Sequence, residues 1–170
     1  SYNISAEFDD YRQRYRWVIR GIEFMMRGVK YNEREPRLYW DVAWFTSHKI
    51  GNADEKVQFR RMFREDDDFH EAERTPSLED RDNWLVGKKW FGKAEDLAKK
   101  GASLGGISEV VFFSHYPMCQ MNYSASLEAE GVFGEKATRH WAKARTEWVE
   151  HYGGYPVATS WADADGNTIK

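Results

Sequence analysis

The chain is poor in the residues that would tie it to a particular chemistry. Its 170 residues include one cysteine, Cys119. A single thiol excludes an internal disulfide and a cysteine-based zinc site, so Cys119 reads as a small buried hydrophobe. Glycine and proline are at ordinary levels, which excludes a collagen-like or disordered composition. No uncharged apolar run approaches the ~18 residues of a spanning helix. No signal peptide is visible, and no membrane contact is expected within this segment. The formal net charge is only −3, which argues against nonspecific nucleic-acid binding. There is no phosphate-binding loop, dinucleotide fingerprint or nucleophile elbow, and no cofactor is expected.

Large rings and helical periodicity are plentiful. Aromatics make up 16% of the chain, with eight tryptophans, which implies a core built from rings. The length suits one domain. Phe8, Tyr11, Tyr15, Val18, Ile19, Ile22, Met26 and Val29 step by threes and fours, predicting a long helix from about Ser5 to Tyr31. Arg12, Arg16, Arg20 and Arg27 fall on its solvated side. Asn32 ends that helix, and Pro36 suits the first turn of the next. Leu38, Val42, Phe45 and Lys49 share a stripe, with Gly51 as a stop. Asn52 and Glu55 have capping-box spacing before Val57, Phe59, Met62 and Phe63.

Residues 65–76 read as an acidic connection. Pro76 and the Ser77–Asp80 pair predict a helix running to about Lys100. "EVVFFSH" is the only strand-like run, either a short buried strand or an irregular segment, and Pro117 is expected to open the following helix. A last helix carries Ala137, Trp141, Ala144, Trp148, Val149 and Tyr152. The expected fold is all-α: stacked antiparallel helical hairpins at about 5–64 and 78–152 in one domain, 1–154. Residues 155–170 form a tail with at most a short strand or hairpin at the Asp165–Gly166 turn.

Two stretches resemble tetratricopeptide-type hairpins. "GIEFMMRGVKYNEREP" supplies Gly21, Met25, Gly28 and Pro36, and "EKATRHWAKA" supplies Ala137, Trp141 and Ala144. The small residues are expected to let helices approach closely. Gly51 comes one residue late for the repeat, and 65–116 shows no repeat pattern. More broadly, "SYNISAEFDDYRQRYRWVIRGIEF", "PRLYWDVAWFTSHKIGNADE", "DDDFH" and "EGVFGEKA" resemble an uncharacterised planctomycete family of tetratricopeptide-like helical repeat proteins. The resemblance implies a right-handed α-α superhelix and a larger, membrane-anchored parent protein, of which this chain is a segment. It implies no activity and no catalytic residue.

"EDDDFHE" is the most conspicuous chemistry. Asp66 and His70 share a face on a helix, and Asp66, Asp68 and His70 do so on an extended segment. Either arrangement offers oxygen and nitrogen ligands for a divalent ion or a hydrolytic site. The competing reading is an acidic junction whose carboxylates cap a helix or pair with Arg60, Arg61 and Arg64. "HYPMC" sets His115 near Cys119 without an orienting group or oxyanion site. "DADGN", Asp163 to Asn167, lacks the sixth-position glycine of a calcium loop and reads as a turn. "YRQRYRWVIR" mixes arginine with rings, but Tyr11 and Tyr15 lie on the apolar stripe, so no nucleic acid is expected. Asn-x-Ser sequons at Asn3 and Asn122 matter only in a glycosylating pathway.

The positive expectation is a partner groove. In a tetratricopeptide-like hairpin the first helix shows one face to the concave side. Here that face carries Arg37, Trp40, Asp41, Trp44 and His48, a surface rich in anchor residues for a protein or peptide partner, or for neighbouring repeats of the parent chain. The competing reading buries Trp40 and Trp44 against the 78–100 helix. The function expected is an interaction or assembly scaffold, with the metal-binding or hydrolytic module as the alternative.

Overall fold

In the computed structural model, residues 7–73, 75 and 77–155 are described, together with the backbone of 161–162 and 168–169. Among these residues the protein is all-α. Helix α1 spans Tyr11–Tyr31, α2 Pro36–Trp44, α3 Lys56–Arg64, α4 Asp67–Glu73, α5 Asn83–Lys99, α6 Glu109–Ala129 and α7 Glu135–Thr146. A π-helical turn, Phe45–Lys49, prolongs α2, and a second, Glu147–Tyr152, prolongs α7. In the tail, Trp161–Ala162 pairs antiparallel with Thr168–Ile169 over two residues each. The first helix does not begin near Ser5: residues 7–10, Phe8 included, precede it, and it starts at Tyr11 after the Asp10 cap. The Asn3 sequon, Pro76, and the Asp163–Asn167 and Asp165–Gly166 turns lie outside the described residues.

The helices follow one another in space as a row. The main packing partners are α1 with α2, α2 with α5, α5 with α6 and α6 with α7, each pair antiparallel, while α3 and α4 form an excursion between α2 and α5. The α2–α5 seam shows the register. Tyr39 meets Trp90, Trp40 meets Phe91, and Ala43 and Ser47 meet Gly87. A Cβ on Gly87 would lie 2.7 Å from Ser47 Cβ and 3.0 Å from the Ala43 carbonyl oxygen. Glycine therefore sets how closely these two helices approach. Gly28, expected to have that role on α1, leaves room: a Cβ there would sit 3.6 Å from Leu38. Ile22, Val42, Ile50, Phe63, Phe91 and Phe112 fill the middle with no exposed surface, each contributing about 1.5–3 kcal/mol by burial.

Several local expectations hold and others are corrected. Asp10 caps α1 by accepting from the Arg12 amide at 2.9 Å, and Asn32 closes it by donating to the Gly28 carbonyl at 3.0 Å. Pro36 occupies the first turn of α2. "EVVFFSH" is not a strand. It is the first third of α6, and Pro117 lies inside that helix instead of opening it. Burial of Phe112, Phe113, Pro117 and Cys119 on the neighbouring helices outweighs the local propensity and the missing proline N–H. The Asn52–Glu55 capping box does not form; Glu55 precedes α3 without a side-chain cap and pairs with Arg14. Ser77 and Asp80 do bond each other, at 2.6 Å, but they begin the 3-10 turn Glu79–Arg81. Asp82 starts α5, accepting from the Trp84 amide at 3.0 Å.

Candidate functional site

The π-helical turn after α2 shapes one side of a cleft. Widening a helix disturbs its i−4 bonding pattern. Thr46 and Ser47 meet that demand from within, donating their hydroxyls to the Val42 and Ala43 carbonyls at 2.8 and 2.7 Å. Asn83 of α5 meets it from outside, donating Nδ2 to the Ser47 carbonyl at 2.8 Å. The turn therefore fixes the direction of His48.

The expected partner face separates into three parts. Arg37 donates Nε to Asp41 Oδ1 at 3.0 Å, and its guanidinium lies 5.6 Å from the Trp40 ring. Gly105, at φ +60°, packs directly on the Arg37 stem, where a Cβ would come within 2.6 Å. Trp40 belongs to the interior: it is 8% exposed and packs edge-on against Phe91 and His115, with centroids 5.6 and 4.9 Å away. Burial against the 78–100 helix thus accounts for Trp40. Trp44 and His48 are half-buried and stack nearly parallel at 5.3 Å.

Trp44 and His48 wall a cleft of about 350 Å³ between the start of α1 and the α2–α3 connection. Arg14, Val18, Glu55 and Phe59 line its other sides. The size is at the lower end of small-ligand pockets, and charges of both signs surround it. His48 Nδ1 lies 2.9 Å from Ser47 Oγ, and the ring also bonds the Trp44 carbonyl. Burial first, and the neighbouring His115 second, push its pKa down to about 4, so the imidazole is neutral near pH 7. His115 comes from α6, its centroid 5.6 Å from that of His48; its Nδ1 donates to the Val111 carbonyl at 2.7 Å, and burial lowers its pKa as well. The cleft thus presents ring faces, the neutral His48 imidazole and a charged rim, with His115 packed behind His48. It offers no thiolate: Cys119 is fully buried and its thiol pKa is pushed far up by that burial.

Sequence reasoning did not place His115 here. The strand-like reading of its segment hid it; a helix through Pro117 turns it toward α2.

"EDDDFHE" is a junction. Asp66 Oδ1 accepts from the Phe69 amide at 3.1 Å, capping α4, and Oδ2 accepts from the Tyr15 hydroxyl at 3.1 Å. Asp67 pairs with Arg81 at 2.6 Å, and Asp68 is exposed. His70 is 1% exposed, with Nε2 2.7 Å from the Phe63 carbonyl and Nδ1 3.1 Å from Thr75 Oγ1. Nε2 donates and Nδ1 accepts, so both nitrogens are occupied. Among the described residues, no group of three or more His, Cys, Asp or Glu is arranged to hold a metal ion. Arg60 and Arg64 do not pair with this stretch. Arg60 donates to Asp82 at 2.7 Å and Asn83 at 3.2 Å and pairs with Glu130 at 2.9 Å; Arg64 pairs with Glu130 at 2.9 Å.

A second set of buried polar groups, also unread in the sequence, fastens the π-helical turn after α7. Lys88, 6% exposed, donates to Gln120 Oε1 at 2.7 Å and pairs with Glu147. Glu95, 1% exposed, accepts from His151 at 2.7 Å and Lys99 at 3.4 Å; burial raises its pKa against their opposing pull. An amphipathic pattern assigns such charges to solvent, so only the packing reveals them.

Among the described residues, no helix is long and apolar enough to cross a membrane. Comparison with known protein families, characterised proteins and solved structures finds no match.

Proposed function

We propose that the protein is a partner-binding scaffold module, a tetratricopeptide-like right-handed stack whose α2 face holds a protein or peptide segment. The observation that carries this reading is the half-buried Trp44–His48 stack forming one wall of an open cleft. A large ring held rigid beside a recess is the usual form of an interface anchor. The row-like order of α1, α2, α5, α6 and α7 supports the stacking part, because repeat architectures join each helix mainly to its neighbours. In this reading α2 faces the partner with the strip of Arg37, Asp41, Trp44 and His48, and His115 of α6 backs His48.

The test is selection of a phage-displayed random peptide library on the folded protein. Enriched peptides are expected to lose about tenfold or more in affinity on Trp44→Ala and to be unaffected by Phe133→Ala, at an exposed position in the α6–α7 connection. No enrichment, or enriched peptides indifferent to Trp44→Ala, would overturn the reading.

A further inference from the structure

The outward side of α1 is unlike the rest of the surface. Phe24 and Tyr31 are 70% and 88% exposed there. Half-buried Trp17, which stacks on Phe8 at 6.3 Å, precedes them at the same seven-residue interval. Successive aromatic residues are two turns apart, ~10.5 Å. Beside this stripe run Arg12, Arg16, Arg20, Arg27 and Lys30, all exposed. Helix α1 holds six cationic side chains against the single Glu23, five net positive charges in a chain of net charge −3. Arg37, Arg60, Arg64, Arg81 and Lys88 elsewhere are in ion pairs. Those five α1 cations form none among the described residues. Arg20 and Arg27 instead lie over the Trp17 and Phe24 rings, at 5.4 and 5.9 Å.

We propose that this face of α1 docks an acidic amphipathic helix of a partner protein. Apolar rings recurring every seven residues have the spacing of a helix–helix seam. The adjoining cations match carboxylates flanking the partner's apolar stripe. A second copy of this chain is disfavoured, because α1 against α1 would set arginines against arginines. Stacked nucleobases follow one another at ~3.4 Å, far closer than these rings. A lipid surface also takes up rings and cations arranged along one helix, so vesicles are carried into the test as a competing outcome. The inference stands apart from the α2 cleft and does not depend on it.

The test is fluorescence anisotropy at about physiological salt, using a labelled helical peptide of leucine heptads flanked by glutamate. The same heptads flanked by lysine, phosphatidylserine vesicles and a single-stranded oligonucleotide are run in parallel. The acidic peptide is expected to bind and the basic one not. Affinity should fall about tenfold or more in Arg16→Glu/Arg20→Glu/Arg27→Glu, and about fivefold in Phe24→Ala/Tyr31→Ala, which leaves charge unchanged. These exposed substitutions are expected to keep the wild-type circular dichroism melt. No binding of the acidic peptide, equal binding of both peptides, or indifference to charge reversal would overturn the proposal. So would α1-dependent capture of vesicles or oligonucleotide in preference to the acidic peptide.

Discussion

His70 and His48 stand near helix ends among aromatic rings, and burial lowers the pKa of each. The difference lies in what surrounds the ring. His70 is enclosed by Phe63, Phe69 and Thr75, with both nitrogens bonded. His48 leans on Trp44 and leaves one side toward a cleft. The junction of α3, α4 and α5 is thus a closed polar knot, while the α2 face is a prearranged opening. A conspicuous histidine in an acidic run turned out to be a staple, and an unremarkable one became a wall.

The contrast is tested hardest at the closed end. Arg60→Ala leaves Asp82 buried without its main cation and removes one partner each from Asn83 and Glu130, which keep Ser47 and Arg64 respectively. The expected loss is about 3–5 kcal/mol, read from urea unfolding; a loss below about 1 kcal/mol would mean the knot is not closed. His70→Ala removes two hydrogen bonds and opens a cavity, with an expected cost of about 2–4 kcal/mol. Trp44→Ala, on the open face, should cost less than either. Equal costs for His70→Ala and Trp44→Ala would erase the distinction.

The smallest expected effect is on pH dependence. The unfolded chain protonates His48 below about pH 6.5, whereas the folded chain does so only near about 4. Between these values the unfolded state binds more protons, so stability falls as pH drops through that window. His48→Gln is expected to flatten part of this slope in unfolding curves taken across it. His70, His115 and His140, also lowered, sustain the remainder. A slope identical to wild type would remove His48 from the account.

Much of the fold was legible because helices announce themselves locally. The apolar steps of α1, the Asn32 stop and Pro36 at the start of α2 follow from periodicity and capping within a few residues. The site was half legible: Arg37, Asp41, Trp44 and His48 share one face by spacing alone. Trp40 shares that spacing too, and only its neighbours Phe91 and His115 show that it faces inward. His115 was hidden because β-branched and aromatic residues in a short run look like a strand until tertiary burial overrides them.

By itself the sequence determined an all-α chain, the long first helix with its arginine side, and the absence of a cysteine-based zinc site or internal disulfide. These depend on composition and on contacts within one or two turns. The tertiary structure decided which charges are buried, how closely Gly87 lets α2 and α5 approach, and which histidines are enclosed. Those properties depend on side chains far apart in the chain, such as Arg60 with Glu130 or Lys88 with Glu147, whose meeting no local pattern encodes.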